Sequence, residues 1–309
     1  MTDSRERESQ ALQGSLRAVT QIEGQGDPKI GVEEFMSLAE RFGFTPEALE
    51  RIRGAISVED LGAGPFLANY YASLPETSVQ AFERVARETF RTRFAIGTSS
   101  GTRALHAAFV AVGVGPGTEV ICPAIGFYAT AAAVVMANGV PVFCDVDESL
   151  SMDAAQAEAL ITERTVALAP TCVMGSVPDM DAIMAVAQRH GLKVVEDCAQ
   201  SCGGQYRGRY VGTIGDIGCF SISAYKIVGG GEGGLMLIND ERLHDRALNL
   251  GEGGGLWRPN RFAPPRYEGE LFVGTNYRMS ELEAAVDVVQ LGRMPTVVGR
   301  FRQVKRLIC

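Results

Sequence analysis

A single lysine, Lys226, stands between an apolar strand-like run, Gly218 to Ser223, and the glycine-rich stretch Gly229-Gly230-Gly231-Glu232-Gly233-Gly234. A lysine at a strand end, followed by backbone that can approach a bulky ligand closely, suits a Schiff base with a carbonyl compound or with pyridoxal phosphate. A phosphate-grasping lysine or a solvated one fits the same stretch. Ser99-Ser100-Gly101-Thr102 follows another strand-like run and opens a helix, where exposed N–H groups and hydroxyls make an anion site. An ordinary helix cap reads the same way. Phe127 follows a third run and could stack on a flat ring or simply fill the core. Asp197 ends the apolar run Leu192 to Glu196, where a carboxylate needs a cationic partner such as a pyridinium N–H, unless it caps the next helix. Gln200, three residues on, could donate to a phenolic oxygen. Of Ser221 and Ser223, only one is expected to face a ligand.

These features run along the chain as anion loop, aromatic, aspartate and lysine, each at a strand end. Together they fit pyridoxal chemistry. An aspartate that keeps the ring nitrogen protonated preserves the electron sink, and a lysine displaced by substrate can move a proton.

Composition excludes other classes. The net charge of −8 and the lack of a basic block argue against nucleic-acid binding. No apolar run reaches the roughly 18 residues that span a bilayer. The polar start Met1 to Gln10 is not a secretory signal. Seven cysteines without framework spacing fit a reducing cytoplasm, and with three scattered histidines no metal site is expected.

The elements that must position these residues alternate from about Ser78 onward. Strands are expected at Phe94–Thr98, Glu119–Pro123, Pro141–Asp145, Val166–Thr171, Leu192–Asp197, Gly218–Ser223 and Gly234–Ile238. Helices are expected at Val79–Phe90, Thr102–Val112, Thr130–Ala137 and Met180–His190. Apolar strands separated by helices imply an α/β three-layer sandwich with a largely parallel sheet, whose ligands bind beyond the strands' carboxyl ends. Residues 1–75 read as a helical N-terminal extension, with a helix over Val32–Phe42 and a second beginning with Thr45 as N-cap and Pro46 inside it. Residues 76–309 read as the cofactor-binding large domain.

From about Ser78 to Leu291 the chain resembles the DegT/DnrJ/StrS family of sugar aminotransferases, fold type I pyridoxal-phosphate enzymes. The resemblance lies in Ser99 to His106, Gly115 to Ile121, Phe127 to Ala131, Val194 to Gln200, Gly215 to Ser221, Lys226 through Gly234, and Asn276-Tyr277-Arg278-Met279-Ser280-Glu281-Leu282. It implies that Lys226 carries the pyridoxal 5'-phosphate, Asp197 pairs with its ring nitrogen and Gln200 with its phenolic oxygen. Phe127 would stack on the ring, and Gly101, Thr102 and Ser221 would hold the phosphate. Asn276 would reach into the neighbouring subunit's site, which implies a homodimer with shared active sites. The implied reaction moves an amino group from glutamate or glutamine to a nucleotide-linked keto-sugar. A cyclitol ketone is the alternative acceptor, and a non-catalytic cofactor-binding or regulatory protein the alternative class. A dehydratase branch has histidine in place of lysine, and Lys226 argues against it. Gly126 and Cys202 depart from the family's usual threonine and histidine and are expected near the cofactor. Much of the family's small C-terminal domain is expected to be absent.

Overall fold

The computed structural model describes residues 30–62, 67, 76–253 and 273–308. The chain divides into two compact units, Met1–Phe66 and Leu67–Cys309. In the first, α1 (Val32–Glu40) and α2 (Pro46–Ala55) precede a 3-10 turn, Val58–Asp60. Thr45 Oγ1 accepts the Ala48 N–H and Pro46 opens the helix, as the sequence leads one to expect.

The second unit begins with α3 (Ser78–Phe90). It buries Val79, Phe82, Ala86 and Phe90 at helical spacing. Its first turn is held by the Glu281 carboxylate, which accepts the N–H of Ser78 at 2.7 Å. A negative charge there complements the helix dipole. There follow β1 (Phe94–Thr98), α4 (Gly101–Ala111), β2 (Glu119–Pro123), α5 (Ala129–Met136) and β3 (Val140–Cys144). Next come α6 (Ala154–Ala159), β4 (Thr165–Leu168), α7 (Met180–His190) and β5 (Lys193–Asp197). A small hairpin, β6 (Gln205–Tyr206) with β7 (Arg209–Tyr210), precedes β8 (Ile217–Ser221) and β9 (Gly234–Ile238). The unit closes with α8 (Glu241–Gly251) and α9 (Glu281–Ile308).

Seven strands form one sheet in the order β1-β9-β8-β5-β4-β2-β3. β9 runs antiparallel to both neighbours, and the remaining pairs are parallel. The expected strands are all present, most shifted or shortened by a few residues. β8 stops at Ser221 rather than Ser223. Successive strand residues point to opposite faces, so the two faces fill separately. Ile96, Val195, Met236 and Ile238 pack with residues of α4, α5 and α8. Ala95, Leu235, Leu237 and Phe220 pack with α3 and α9. Ile121, Leu168 and Val194 pack with α6 and α7. This makes the sandwich of three layers.

Both sheet edges have a particular treatment. β1 is flanked by the segment before α9, through a bridge between Thr98 and Arg278. β3 carries Pro141. The Val140 N–H bonds inward to the Thr118 carbonyl at 2.9 Å, so the nitrogen of Pro141 faces away from the sheet.

Within α9, Glu283 and Asp287 lie one turn apart under the glycine loop. Glu283 accepts backbone N–H groups of Gly230 and Glu232. A Cβ on Gly231 would come within 2.6 Å of its Oε2, so a side chain there would displace the Glu283 carboxylate. Asp287 is fully buried, and no N–H among the described residues reaches either of its oxygens. The two carboxyls satisfy each other only when they share a proton. Burial first, and the Glu283 charge second, push Asp287 up to about 8.

Candidate active site

Three strand ends and one helix start meet around a cavity of about 300 Å³. Gly101, Thr102, Phe127, Asp197, Gln200, Ser221 and Lys226 all line it. Seven of the eight residues singled out from the sequence are thus brought together.

The anion end is the start of α4. Ser100 is a true N-cap, its Oγ accepting the Arg103 N–H at 3.2 Å. Capping leaves room for an anion, because the first-turn N–H groups have no helical partner and Ser100 occupies only one. Gly101 permits close approach of β8, since a Cβ there would lie 2.8 Å from Ser221 Cβ. Ser221 is thereby held beside Thr102 at the mouth of the helix. A Cβ on Gly234 would collide with the Ser100 carbonyl, so two glycines fix this corner.

Asp197 ends β5 and is 3% exposed. Its Oδ2 accepts the Thr130 hydroxyl at 2.5 Å, and its Oδ1 accepts the Ala199 N–H at 3.0 Å. These donors fix the carboxylate plane and leave lone pairs for a ligand. Burial pushes Asp197 up, while the Thr130 hydroxyl, the Ala199 N–H and the Lys226 charge pull it down. The balance is a carboxyl short of positive charge, which a cationic ring N–H would supply.

Glu196, the preceding residue, accepts three backbone N–H groups, from Gly212 at 2.7 Å, Ile214 at 2.7 Å and Gly215 at 2.6 Å. It pins the loop before β8 and so steadies the strand that carries Ser221. Gln200 gives its carbonyl oxygen to the Met174 N–H at 2.9 Å, which leaves its amide N–H groups as donors. Phe127 is 56% exposed and lies beside Tyr128 with ring centroids 4.5 Å apart. It is therefore a cavity wall rather than core.

Lys226 follows the end of β8 by a turn in which its N–H bonds to the Ser223 carbonyl at 2.8 Å. No ion pair of Lys226 occurs among the described residues. Ser223 lines the cavity together with Ser221. The expectation that only one of them would do so is overturned: residues two apart on an extended chain share a face. Gly126 and Cys202 do not line the cavity. Cys202 is buried against Met294, with the two sulfurs 3.7 Å apart.

Asn276 is exposed, lies outside the cavity, and accepts the Arg278 N–H at 3.1 Å. Its neighbour Tyr277 is buried. The Tyr277 carbonyl accepts the Ser99 N–H at 2.8 Å, and its hydroxyl meets His106 Nδ1 at 2.8 Å. The motif therefore sits against the anion loop. Sequence reasoning passed over Thr130, Glu196 and Glu232, the last of which also lines the cavity. Among the described residues no cluster of histidine, cysteine, aspartate or glutamate could hold a metal ion, and no helix is long and apolar enough to cross a membrane.

The cavity fits pyridoxal phosphate at each end: an anion cradle, an aromatic wall, a buried carboxyl in want of a cationic partner, and an amine. The profile of the DegT/DnrJ/EryC1/StrS aminotransferase family matches residues 69–308. GDP-perosamine synthase of Caulobacter vibrioides is 42% identical over 230 residues, 72% of this chain and 60% of that protein. L-glutamine:2-deoxy-scyllo-inosose aminotransferase of Streptoalloteichus tenebrarius is 43% identical over 198 residues, 62% of this chain and 46% of that protein. An aminotransferase from Psychrobacter cryohalolentis, known by X-ray structure, superposes with a TM-score of 0.65 at 36% identity, covering 71% of this chain and 57% of that one. The chain thus spans about half to three-fifths of the length of these curated relatives. Geometry and similarity agree, and the chain belongs to the DegT/DnrJ/EryC1/StrS family of sugar aminotransferases, whose cofactor is pyridoxal phosphate.

Proposed function

We propose that this chain transfers an amino group from glutamate or glutamine to a nucleotide-linked keto-sugar, in the cytoplasm, as a homodimer with shared active sites. The convergence of Lys226, Asp197 and the start of α4 on one cavity carries the reading. Bound there, the cofactor supplies an electron sink for the substrate carbon that loses its proton. Lys226 anchors the cofactor at rest and, once released, takes the proton from that carbon and returns it elsewhere. Asp197 keeps a negative charge against the ring nitrogen, in a plane set by Thr130 and Ala199. Gln200 donates to the phenolic oxygen, Phe127 covers a ring face, and Gly101, Thr102 and Ser221 hold the phosphate. Asn276, exposed beside the anion loop, is available to a second copy. The buried free cysteines suit a reducing compartment.

A cyclitol ketone is the second reading for the acceptor, favoured by the similarity to the Streptoalloteichus enzyme. One experiment tests both. The protein is loaded with pyridoxal phosphate, reduced with borohydride and digested, and the unreduced protein is incubated with each amino donor and a panel of nucleotide-linked keto-sugars and cyclitol ketones. Label at Lys226 and amination of a keto-sugar nucleotide are expected. Label at Lys193 or Lys305 instead, or amination of cyclitol ketones alone, overturns the corresponding part. Cofactor bound at Lys226 with no amination of either class would favour a non-catalytic role.

A further inference from the structure

We propose that Glu283 and Asp287 hold the glycine loop behind Lys226 through one shared proton, and that loss of this proton frees the loop and weakens the hold on the cofactor. The inference rests on the aminotransferase reading and adds two positioning residues to it, neither of which lines the cofactor cavity. The loop is fastened on two sides. On one, the Gly231 carbonyl accepts the Ala224 N–H at 2.8 Å and the Gly233 carbonyl accepts the Ile222 N–H at 2.8 Å. These bonds tie it to the segment that leads into Lys226. On the other, Glu283 accepts the N–H groups of Gly230 and Glu232. Glu232 lines the cavity together with Lys226, so Glu283 steadies from behind a loop whose front meets the ligand.

The space under the loop lacks a donor. Glu283 Oε1 and both oxygens of Asp287 are buried and meet no N–H or O–H among the described residues. The loop backbone lies directly on them: a Cβ on Gly230 would stand 3.1 Å from Asp287 Oδ1. The neighbouring elements offer no positive charge. Glu232, itself a carboxyl, faces Glu283 from the loop. Cys202 faces Asp287 from the segment after β5, and burial pushes its thiol up to about 12, so it stays neutral. α3, packed along α9, brings the apolar Val79, Phe82 and Ala86 into the core that Ala284 and Leu291 share.

A proton between the two carboxyls removes the conflict. Asp287 then donates to Glu283, and the remaining negative charge serves the loop N–H groups, where a charged acceptor is the stronger one. Without the proton, two charges stand one helical turn apart in a place poor in water. Asp287 is enclosed, whereas Glu283 is only half-buried. Glu283 is therefore the group that turns toward water, and it takes its oxygen away from Gly230 and Glu232. Because burial raises both carboxyls, Asp287 to about 8, the proton is held below that pH and lost as pH rises through it.

The test follows cofactor release and amide hydrogen exchange in the cofactor-loaded chain from pH 6 to pH 9. It compares the unaltered protein with Asp287→Asn and with Glu283→Gln, so that one variant suffices if the other fails to fold. In either variant an amide N–H replaces the shared proton at every pH. Across this range the unaltered protein should speed its release of cofactor about tenfold more than the variants do, as befits loss of a charged hydrogen bond. The Gly230 and Glu232 amides, corrected for intrinsic exchange, should lose protection over the same range in the unaltered protein alone. The same pH profile in all three proteins overturns the proposal, as does steady protection of the loop. A release rate that follows potassium or sodium concentration instead of pH also overturns it, by assigning the space between the carboxyls to a cation. An unaltered protein that takes up no pyridoxal phosphate sinks the aminotransferase reading instead, and loop exchange still decides whether the shared proton holds the loop.

Discussion

Replacing Asp287 by asparagine should flatten the dependence of stability on pH. Asp287 is fully buried, among the described residues only Glu283 is placed to share a proton with it, and its folded-state value is pushed up to about 8 from 3.8. Because the value is raised, the folded state holds a proton that the unfolded state releases. Stability is therefore greatest below about pH 4 for this group, falls as pH rises, and levels off above about 8. At about 1.4 kcal/mol for each pKa unit, the ceiling is about 6 kcal/mol. Coulomb repulsion gives a lower figure. Two carboxylates one helical turn apart, at roughly 5 Å and an effective dielectric near 20, repel by about 3 kcal/mol. The smaller value is the better guide, since Glu283 is only partly buried and water relaxes the pair. Asparagine can donate to Glu283 at every pH and carries no charge. Urea unfolding at pH 5, 7 and 9 should show the unaltered protein losing about 3 kcal/mol relative to Asp287→Asn across that range. Parallel curves for the two proteins would refute the shared proton.

Asp197→Asn should keep much of the cofactor affinity yet lose most of the donor half-reaction, because a charge-assisted hydrogen bond is about twice as strong as a neutral one; stopped-flow absorbance checks this, and a near-normal rate refutes the role. Gly101→Ala drives a methyl to 2.8 Å from Ser221 Cβ. Overpacking of this kind costs about 1–3 kcal/mol, so both melting temperature and cofactor affinity should fall, and an unchanged cofactor titration would count against the cradle. Mixing Lys226→Ala with Asn276→Ala chains should restore activity that each parent lacks, by leaving one intact site per mixed dimer. Proven subunit exchange without recovery would remove Asn276 from the partner's site.

Much of this was legible in the sequence for a local reason. Phe94–Thr98, Glu119–Pro123 and Gly234–Ile238 are short apolar runs between turn residues, and Met180–His190 has helical periodicity with Asp179 before it and Gly191 after it. The site residues were legible because they sit at the ends of those runs. Contacts made across the chain were not. Thr130 meets Asp197 across 67 positions, and no local pattern announces it. The hairpin β6–β7 has strands of two residues, too short for periodicity, and turns through Arg207 and Gly208, both at positive φ. α8 had its signal in Asp240, Leu243, Ala247 and Leu250 and could have been read. α9 continues through Pro295, a residue that ordinarily breaks a helix, so its length was not legible from local pattern.

The two sheet edges bear on how copies of this chain can meet. An exposed edge strand is a template for another strand, and proteins that leave one open risk unlimited stacking. Here β1 is flanked by the Arg278 segment, and one of the two outward-facing positions of β3, Pro141 and Phe143, is a proline with no N–H to donate. The outer strand also presents Val140 and Phe143, 51% and 57% exposed, which would otherwise make it adhesive. Replacing Pro141 by valine would restore the missing donor to an apolar rim. Such a protein should form fibrils or higher oligomers under conditions where the unaltered chain stays dispersed.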